Sequence, residues 1–127
     1  MERGHGQGVP GLSDQRVVLH CDCDEFFLQV HGLNCPDIHA TIKERACALW
    51  QYNDIICANQ LAKRAGVRKH MTPSEARTIL APLGGRLLHA FWRKWPGPRV
   101  AYAPYQVASR EIFRHIRGFL QQHGAAC

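Results

Sequence analysis

The feature that most constrains this chain is an apolar run of strand length that ends on an acid and turns at once into a helix. Arg16-Val-Val-Leu-His-Cys-Asp22 is rich in β-favouring residues, so a buried strand is expected to carry Asp22 to its end. Directly after it, Asp24-Glu-Phe-Phe-Leu-Gln-Val-His31 sets acids in a first helical turn and puts Phe27 and Val30 three apart on one face. Gly32 and Pro36 limit that helix. A carboxylate at such a junction can hold a hard divalent cation together with peptide oxygens, while neighbouring N–H groups face a phosphate. Taken alone, Asp22-x-Asp24 is a common pattern that also serves simply to cap helices.

The rest of the chain alternates short elements. Residues 37–45 are polar and mixed and read as loop or short helix. Two strands are expected, Ala46 to Tyr52 and Asp54 to Ala58, with the turn at Asn53-Asp54. Asn59 caps a helix from Gln60 to Ala65 that Gly66 stops. Thr72-Pro73-Ser-Glu75 combines a cap, a proline at the first helical position and a glutamate three residues on, which predicts a helix to about Leu80, ended by Pro82, Gly84 and Gly85. Arg86 to Phe91 reads as a further strand, and Trp92 to Pro98 as a Trp/Pro/Gly connection with the character of an insertion. A final amphipathic helix over Pro104 to Gln122 gathers Val107, Ile112, Phe113, Ile116 and Leu120 near one side.

A length of 127 residues is about one domain, and the 46% hydrophobic content supports a modest core. No apolar run approaches the ~20 residues that span a bilayer, and the polar, glycine-rich start lacks the apolar segment of a signal peptide. The six cysteines are scattered, several within apolar runs, so a disulfide framework is not expected and a reducing compartment fits. Charge divides the chain: residues 1–60 carry four basic against eight acidic residues, and residues 61–127 carry twelve against two, a net −4 followed by +10. A half so basic points to nucleic acid or a phosphate-bearing ligand, although a solvated basic face accounts equally well for charge alone.

Three blocks, in order, give these features a family. Val17-Val-Leu-His-Cys-Asp22-Cys-Asp-Glu-Phe-Phe27-Leu-Gln-Val30 resembles the opening of the Y-family (UmuC-type, translesion) DNA polymerases. Ile55-Ile-Cys-Ala-Asn59-Gln-Leu-Ala62-Lys63-Arg-Ala-Gly66-Val67-Arg-Lys69-His-Met71 resembles their fingers segment, most clearly in the iota and eta branches. Tyr105-Gln-Val-Ala-Ser109-Arg-Glu-Ile-Phe113 resembles, more loosely, the segment opening the helix before their catalytic Asp-Glu strand. The fold implied is α/β: an incomplete polymerase palm sheet with helices plus a small basic fingers subdomain. Its parts would be a flexible leader over 1–15, palm strand and helix over about 16–35, fingers over about 46–91 and a returning palm helix over about 104–122.

The resemblance also implies roles. Asp22 would be a catalytic metal ligand for Mg²⁺, helped by the backbone carbonyl of Cys23, and Phe27 the steric gate against a 2′-hydroxyl. Amides near Phe26 and Phe27 would meet the triphosphate, though ordinary core packing also accounts for Phe26 and, less well, for Phe27. Asp24 takes a supporting or capping role. The family's triphosphate-binding Tyr and Arg fall on Gln60 and Lys63, and its next basic contact on Lys69. Lys63 keeps the charge without the bidentate fork of Arg, which weakens the expected hold on nucleotide. Gln51 is a candidate for contacting the nascent base pair, and Tyr105 and Ser109 are expected to fix the last helix.

Two-metal phosphodiester synthesis needs a second set of carboxylates. The only adjacent Asp-Glu pair is Asp24-Glu25, and nothing acidic follows Glu111. The chain alone is therefore expected to be inactive. Its partners by resemblance are DNA primer-template, deoxynucleoside triphosphate and the missing remainder of a polymerase. Its place is the nucleus in a eukaryote and the cytoplasm otherwise, soluble and off the membrane. Two rivals stand beside this reading: a non-catalytic module binding nucleic acid or nucleotide on the family's scaffold, and a zinc site. Cys21-x-Cys23 lacks the ligand spacing of a structural finger.

Overall fold

A computed structural model describes residues 17–124. The expected leader over 1–15, Arg16 and Cys127 lie outside the described residues.

The middle of the chain builds around one strand. β1 (Cys47–Gln51) is central in a three-stranded sheet, antiparallel to β2 (Asp54–Ala58) and parallel to β3 (Arg86–His89). Cys47, Ala48 and Leu49 are completely buried, as a strand covered on both faces requires. The hairpin turns at Tyr52-Asn53 rather than Asn53-Asp54, because Asp54 already pairs with Gln51. Both turn residues take positive φ, 45° and 67°, the geometry whose twist matches that of the flanking strands. Leu49 faces Cys57 while Trp50 faces Ile55, so Ile56 is an extra residue that bulges β2.

Helices cover both faces of this sheet. On one, Ala48, Ile55 and Ala58 pack with Ala62, Val67, Ala76 and Leu80, contributed by α3 (Gln60–Arg64), α4 (Pro73–Leu80) and the loop between them. On the other, Cys47, Leu49 and Cys57 pack with Leu28 of α1 (Phe26–Asn34), while Ile42 of α2 (Pro36–Glu44) closes the edge. The polar segment over 37–45 is thus a full helix, opened by Pro36. Gly32 allows the approach of α2: a Cβ there would lie 3.2 Å from the Cα of His39.

The capping box at Thr72 forms as the sequence implies: Thr72 Oγ1 accepts from the Glu75 N–H, and Thr72 N–H donates to Glu75. A 3₁₀ turn (Ala81–Leu83) ends α4, and Gly84 takes the left-handed conformation. Gly85 is required for a different reason, since a Cβ there would sit 2.6 Å from the Ala46 carbonyl oxygen. The segment after β3 is a small hairpin, β4 (Trp92–Arg93) and β5 (Arg99–Val100), followed by α5 (Ala103–Gln122).

The expected strand ahead of α1 fails. Val17 to Asp22 is not a strand and is not buried; Val17, Val18 and Leu19 are 82%, 88% and 69% exposed. A β-favouring run becomes a strand only when a neighbour satisfies its backbone, and among the described residues none pairs with it. The apolar side of α5 is likewise uncovered, with Val107, Phe113 and Phe119 exposed and only Tyr105 buried. No helix among the described residues is long and apolar enough to cross a membrane.

Candidate nucleotide site

Asp22, Cys23 and Asp24 lie exposed in the segment that leads into α1. Glu25 turns the chain into the helix, in a left-handed conformation with φ 56° and ψ 32° that is unusual for a residue with a side chain. Its carbonyl accepts the Gln29 N–H at 3.0 Å, and Gln29 Nε2 donates to the Asp24 carbonyl, so the end of the acidic segment is tied to the first turn. The Glu25 side chain reaches across to α3, where Oε1 accepts the backbone N–H of Gln60 at 2.7 Å. The helix start is one of the few places where N–H groups lack partners within the helix, which is why a carboxylate settles there.

Asn59 fixes α3 from below. Its Oδ1 accepts from Ala62 N at 2.9 Å and from Cys47 N at 3.0 Å, and its Nδ2 donates to the carbonyls of Ile42 (2.9 Å) and Arg45 (2.7 Å). One buried amide thereby joins the end of α2, the start of β1 and the first turn of α3. The sequence marks Asn59 as a cap, but its three further bonds carry no local signal. Lys63 on α3 and Lys69 beyond it are exposed, and both, with Glu25, act electrostatically on the Cys57 thiol, whose pKa burial raises. A cavity of about 490 Å³ lies between α1, α2 and α3, bordered by Glu25, Gln29, His39, Lys43, Asn59 and Gln60.

The aromatic pair borders α5. Phe27 packs against the sheet core and meets Tyr105 edge to face at 4.8 Å, whereas Phe26 lies outside that core, which reverses the weighting the sequence suggests for the two rings. Phe26, Phe27, Tyr102, Tyr105, Ser109 and Arg110 border a shallow cleft between α1 and α5. Gln51 reaches this neighbourhood only indirectly, through the Tyr102 hydroxyl that donates to its Oε1 at 3.2 Å. The structure therefore draws Glu25 to Gln60, and Phe26 and Phe27 to the start of α5, and among the described residues no cluster of three metal-ligating side chains forms around Asp22.

Tyr105 holds α5 to the sheet. Its hydroxyl accepts the Phe91 N–H at 3.1 Å and shares a 2.8 Å hydrogen bond with His31 Nε2. His31 stacks on Phe91 with ring centroids 4.0 Å apart, and its pKa is lowered to about 4, first by burial and then by His89. Burial also raises the Tyr105 phenol. Nothing in the sequence distinguishes His31 from seven other histidines. Among the described residues no three His, Cys, Asp or Glu side chains converge as metal ligands, and the described cysteines are free thiols.

The sequence profile of the impB/mucB/samB family matches residues 21–125. The chain belongs to that family. It is 33% identical over 69 residues to DNA polymerase iota of Drosophila melanogaster, covering 54% of this chain and 9% of that protein. To DNA polymerase iota of Mus musculus it is 33% identical over 72 residues, covering 56% and 10%. The matched part is thus about a tenth of the length of these relatives. The family link agrees with the resemblance to Y-family polymerases, and the α/β class holds for the described residues. DinB from Sulfolobus solfataricus aligns with 52% of the chain and 19% of its own at 21% identity, with a TM-score of 0.41.

Proposed function

We propose that this chain carries the nucleotide-facing part of a Y-family DNA polymerase, a lineage that transfers nucleotides to primer-template DNA across damage. The observation that supports this reading is the Glu25–Gln60 bond, which ties the residue directly after Asp22-Cys23-Asp24 to the start of α3. In this reading Asp22 and the Cys23 carbonyl hold Mg²⁺, an ion suited to hard oxygen ligands, with water and triphosphate completing its shell. The ion, when bound, supplies charge neutralisation for the phosphates.

The chain's own residues do the remaining work. Gln60, Lys63 and Lys69 orient and neutralise the triphosphate, amides at Phe26 and Phe27 meet its oxygens, and the Phe27 ring limits the sugar edge. Gln51 stands toward the nascent pair through Tyr102. Residues 1–127 contain no second Asp-Glu pair, so primer extension by the chain alone stays at background, and a separately supplied palm remainder and little finger restores it.

The direct test is titration of a fluorescent deoxynucleoside triphosphate with and without Mg²⁺. Binding should require Mg²⁺, and nucleotide should in turn tighten Mg²⁺ binding. Asp22→Ala and Lys63→Ala should each weaken binding at least fivefold. Unchanged binding in both variants rejects the site. A second reading, a non-catalytic nucleic-acid module, is favoured by the absence of any acid between Glu75 and Glu111. It predicts salt-sensitive DNA binding with no affinity for the triphosphate.

A further inference from the structure

The hairpin after β3 carries none of the residues assigned to the nucleotide site. Trp95 is 85% exposed and Trp92 46% exposed, and Arg93, Lys94 and Arg99 between and beside them all face solvent. At the hairpin's base lies a groove of about 660 Å³ bordered by Tyr52, Tyr102, Arg93, Arg99 and Gln106. Both tyrosines expose much of their rings, 60% and 45%, yet neither is loose. Tyr52 Oη accepts the Val100 N–H at 3.2 Å, and the Tyr102 hydroxyl donates to Gln51. Trp92 is braced edge-on by Tyr52 and His89.

Aromatic rings beside exposed cations, with no acid bordering the groove, match one ligand chemistry closely. Unpaired bases offer flat faces to stack on, and their phosphates offer the counter-charge. Six basic residues and no acid fall between Glu75 and Glu111. An acidic peptide would use the charges but leave the rings idle, and duplex DNA would hide its base faces. Because the tyrosine rings are already held by hydrogen bonds, little side-chain freedom is lost on stacking.

We propose that the β4–β5 hairpin and the groove at its base form a binding site for single-stranded nucleic acid, with Trp95, Tyr52 and Tyr102 stacking on bases and Arg93, Lys94 and Arg99 neutralising phosphates. The proposal deepens the nucleic-acid reading above and does not rest on the nucleotide site, with which it shares only Tyr102 and its bond to Gln51.

The experiment measures anisotropy of labelled fifteen-nucleotide oligo(dT) on the full chain, with oligo(rU), a duplex of the same length, an abasic strand and polyglutamate as further probes. Trp95→Ala should weaken oligo(dT) about tenfold, the size of losing one stacked base, while leaving duplex binding within about twofold. Trp95→Phe should restore most of the loss. Arg93→Ala with Lys94→Ala should lower the slope of log affinity against log salt by about 1.4. Asp22→Ala should change none of these values, so loss of the nucleotide site is distinguishable from loss of this one. Equal loss for oligo(rU) extends the site to both nucleic acids, and no binding of oligo(rU) restricts it to DNA. The proposal is overturned if Trp95→Ala and Tyr102→Ala bind oligo(dT) as the native chain does. It is equally overturned if the abasic strand or polyglutamate binds as tightly as oligo(dT). Since Trp95 and Lys94 are exposed, a folding defect would not mimic these losses.

Discussion

Between Ala46 and Ala90 the chain closes on itself, whereas on the side formed by residues 17–24 and α5 it leaves apolar surface open. In the first region Ala48, Leu49, Ile55, Ala62 and Ala76 are fully buried, and the only buried polar side chain among the described residues, that of Asn59, has all its groups bonded. In the second, Val18 is 88% exposed and Phe113 and Phe119 are 62% and 60% exposed. Both regions have strong apolar patterns. The difference is that the partners of the first lie within some forty residues of chain, with a turn, two caps and two glycines to bring them together. The second offers a strand run and a helix face for which the described residues contain no mate.

Substitutions should respect that division. The largest effect belongs to Asn59→Ala, which orphans Cys47 N, Ile42 O and Arg45 O together; we expect a loss of about 3 kcal/mol or more in urea unfolding. A loss under about 1 kcal/mol would mean that water replaces those bonds and that the first region is less closed than its burial implies.

Next is the pH response at the seam between the regions. His31 is held neutral, with a folded pKa of about 4 against 6.5 for the ordinary value. The unfolded chain takes up its proton first as pH falls. His31 therefore contributes stability above pH 6.5 that is lost between 6.5 and 4 and is constant below. The native chain should lose more stability over this window than His31→Gln, and identical profiles would show that His31 is free to protonate in place.

Glu25 should register less. Glu25→Ala removes the cap on Gln60 N and is expected to cost about 1 kcal/mol, while Glu25→Gly also relieves the left-handed backbone and should cost less. Equal costs would locate the whole effect in the carboxylate. The smallest change is expected for Phe119→Ser on the open face of α5, within about 0.5 kcal/mol. A much larger loss would show that this face is covered in solution.

Legibility in the sequence followed the same division. The hairpin, the Asn59 cap, the Thr72 box, the Gly66 stop and α5 were readable because each is set by residues within a turn or two of one another. The turn itself was misplaced by one residue, since Asn53-Asp54 and Tyr52-Asn53 both suit a reversal and only pairing decides. The strand to Asp22 was misread because β propensity describes a willingness to pair and not the presence of a partner. At the site, Asp22, Gln60 and Lys63 could be named from their motifs. Glu25 could not, because its role depends on a contact with Gln60 thirty-five positions away, and His31 acquires its partners only when Phe91 and Tyr105 arrive.

The parallel neighbour of β1 bears on how the molecule is made. β2 can zip onto β1 through a two-residue turn, but Cys47 meets Arg86 only after α3 and α4 have been laid down between them. Local pairings form early and distant parallel ones late. During synthesis the far edge of β1 must therefore wait, with its amides and carbonyls unsatisfied, until Arg86 to His89 emerge. An open edge on the central strand of the sheet is a template for a stranger's strand. The interval before β3 docks is when a nascent copy of this protein most needs shielding from its neighbours.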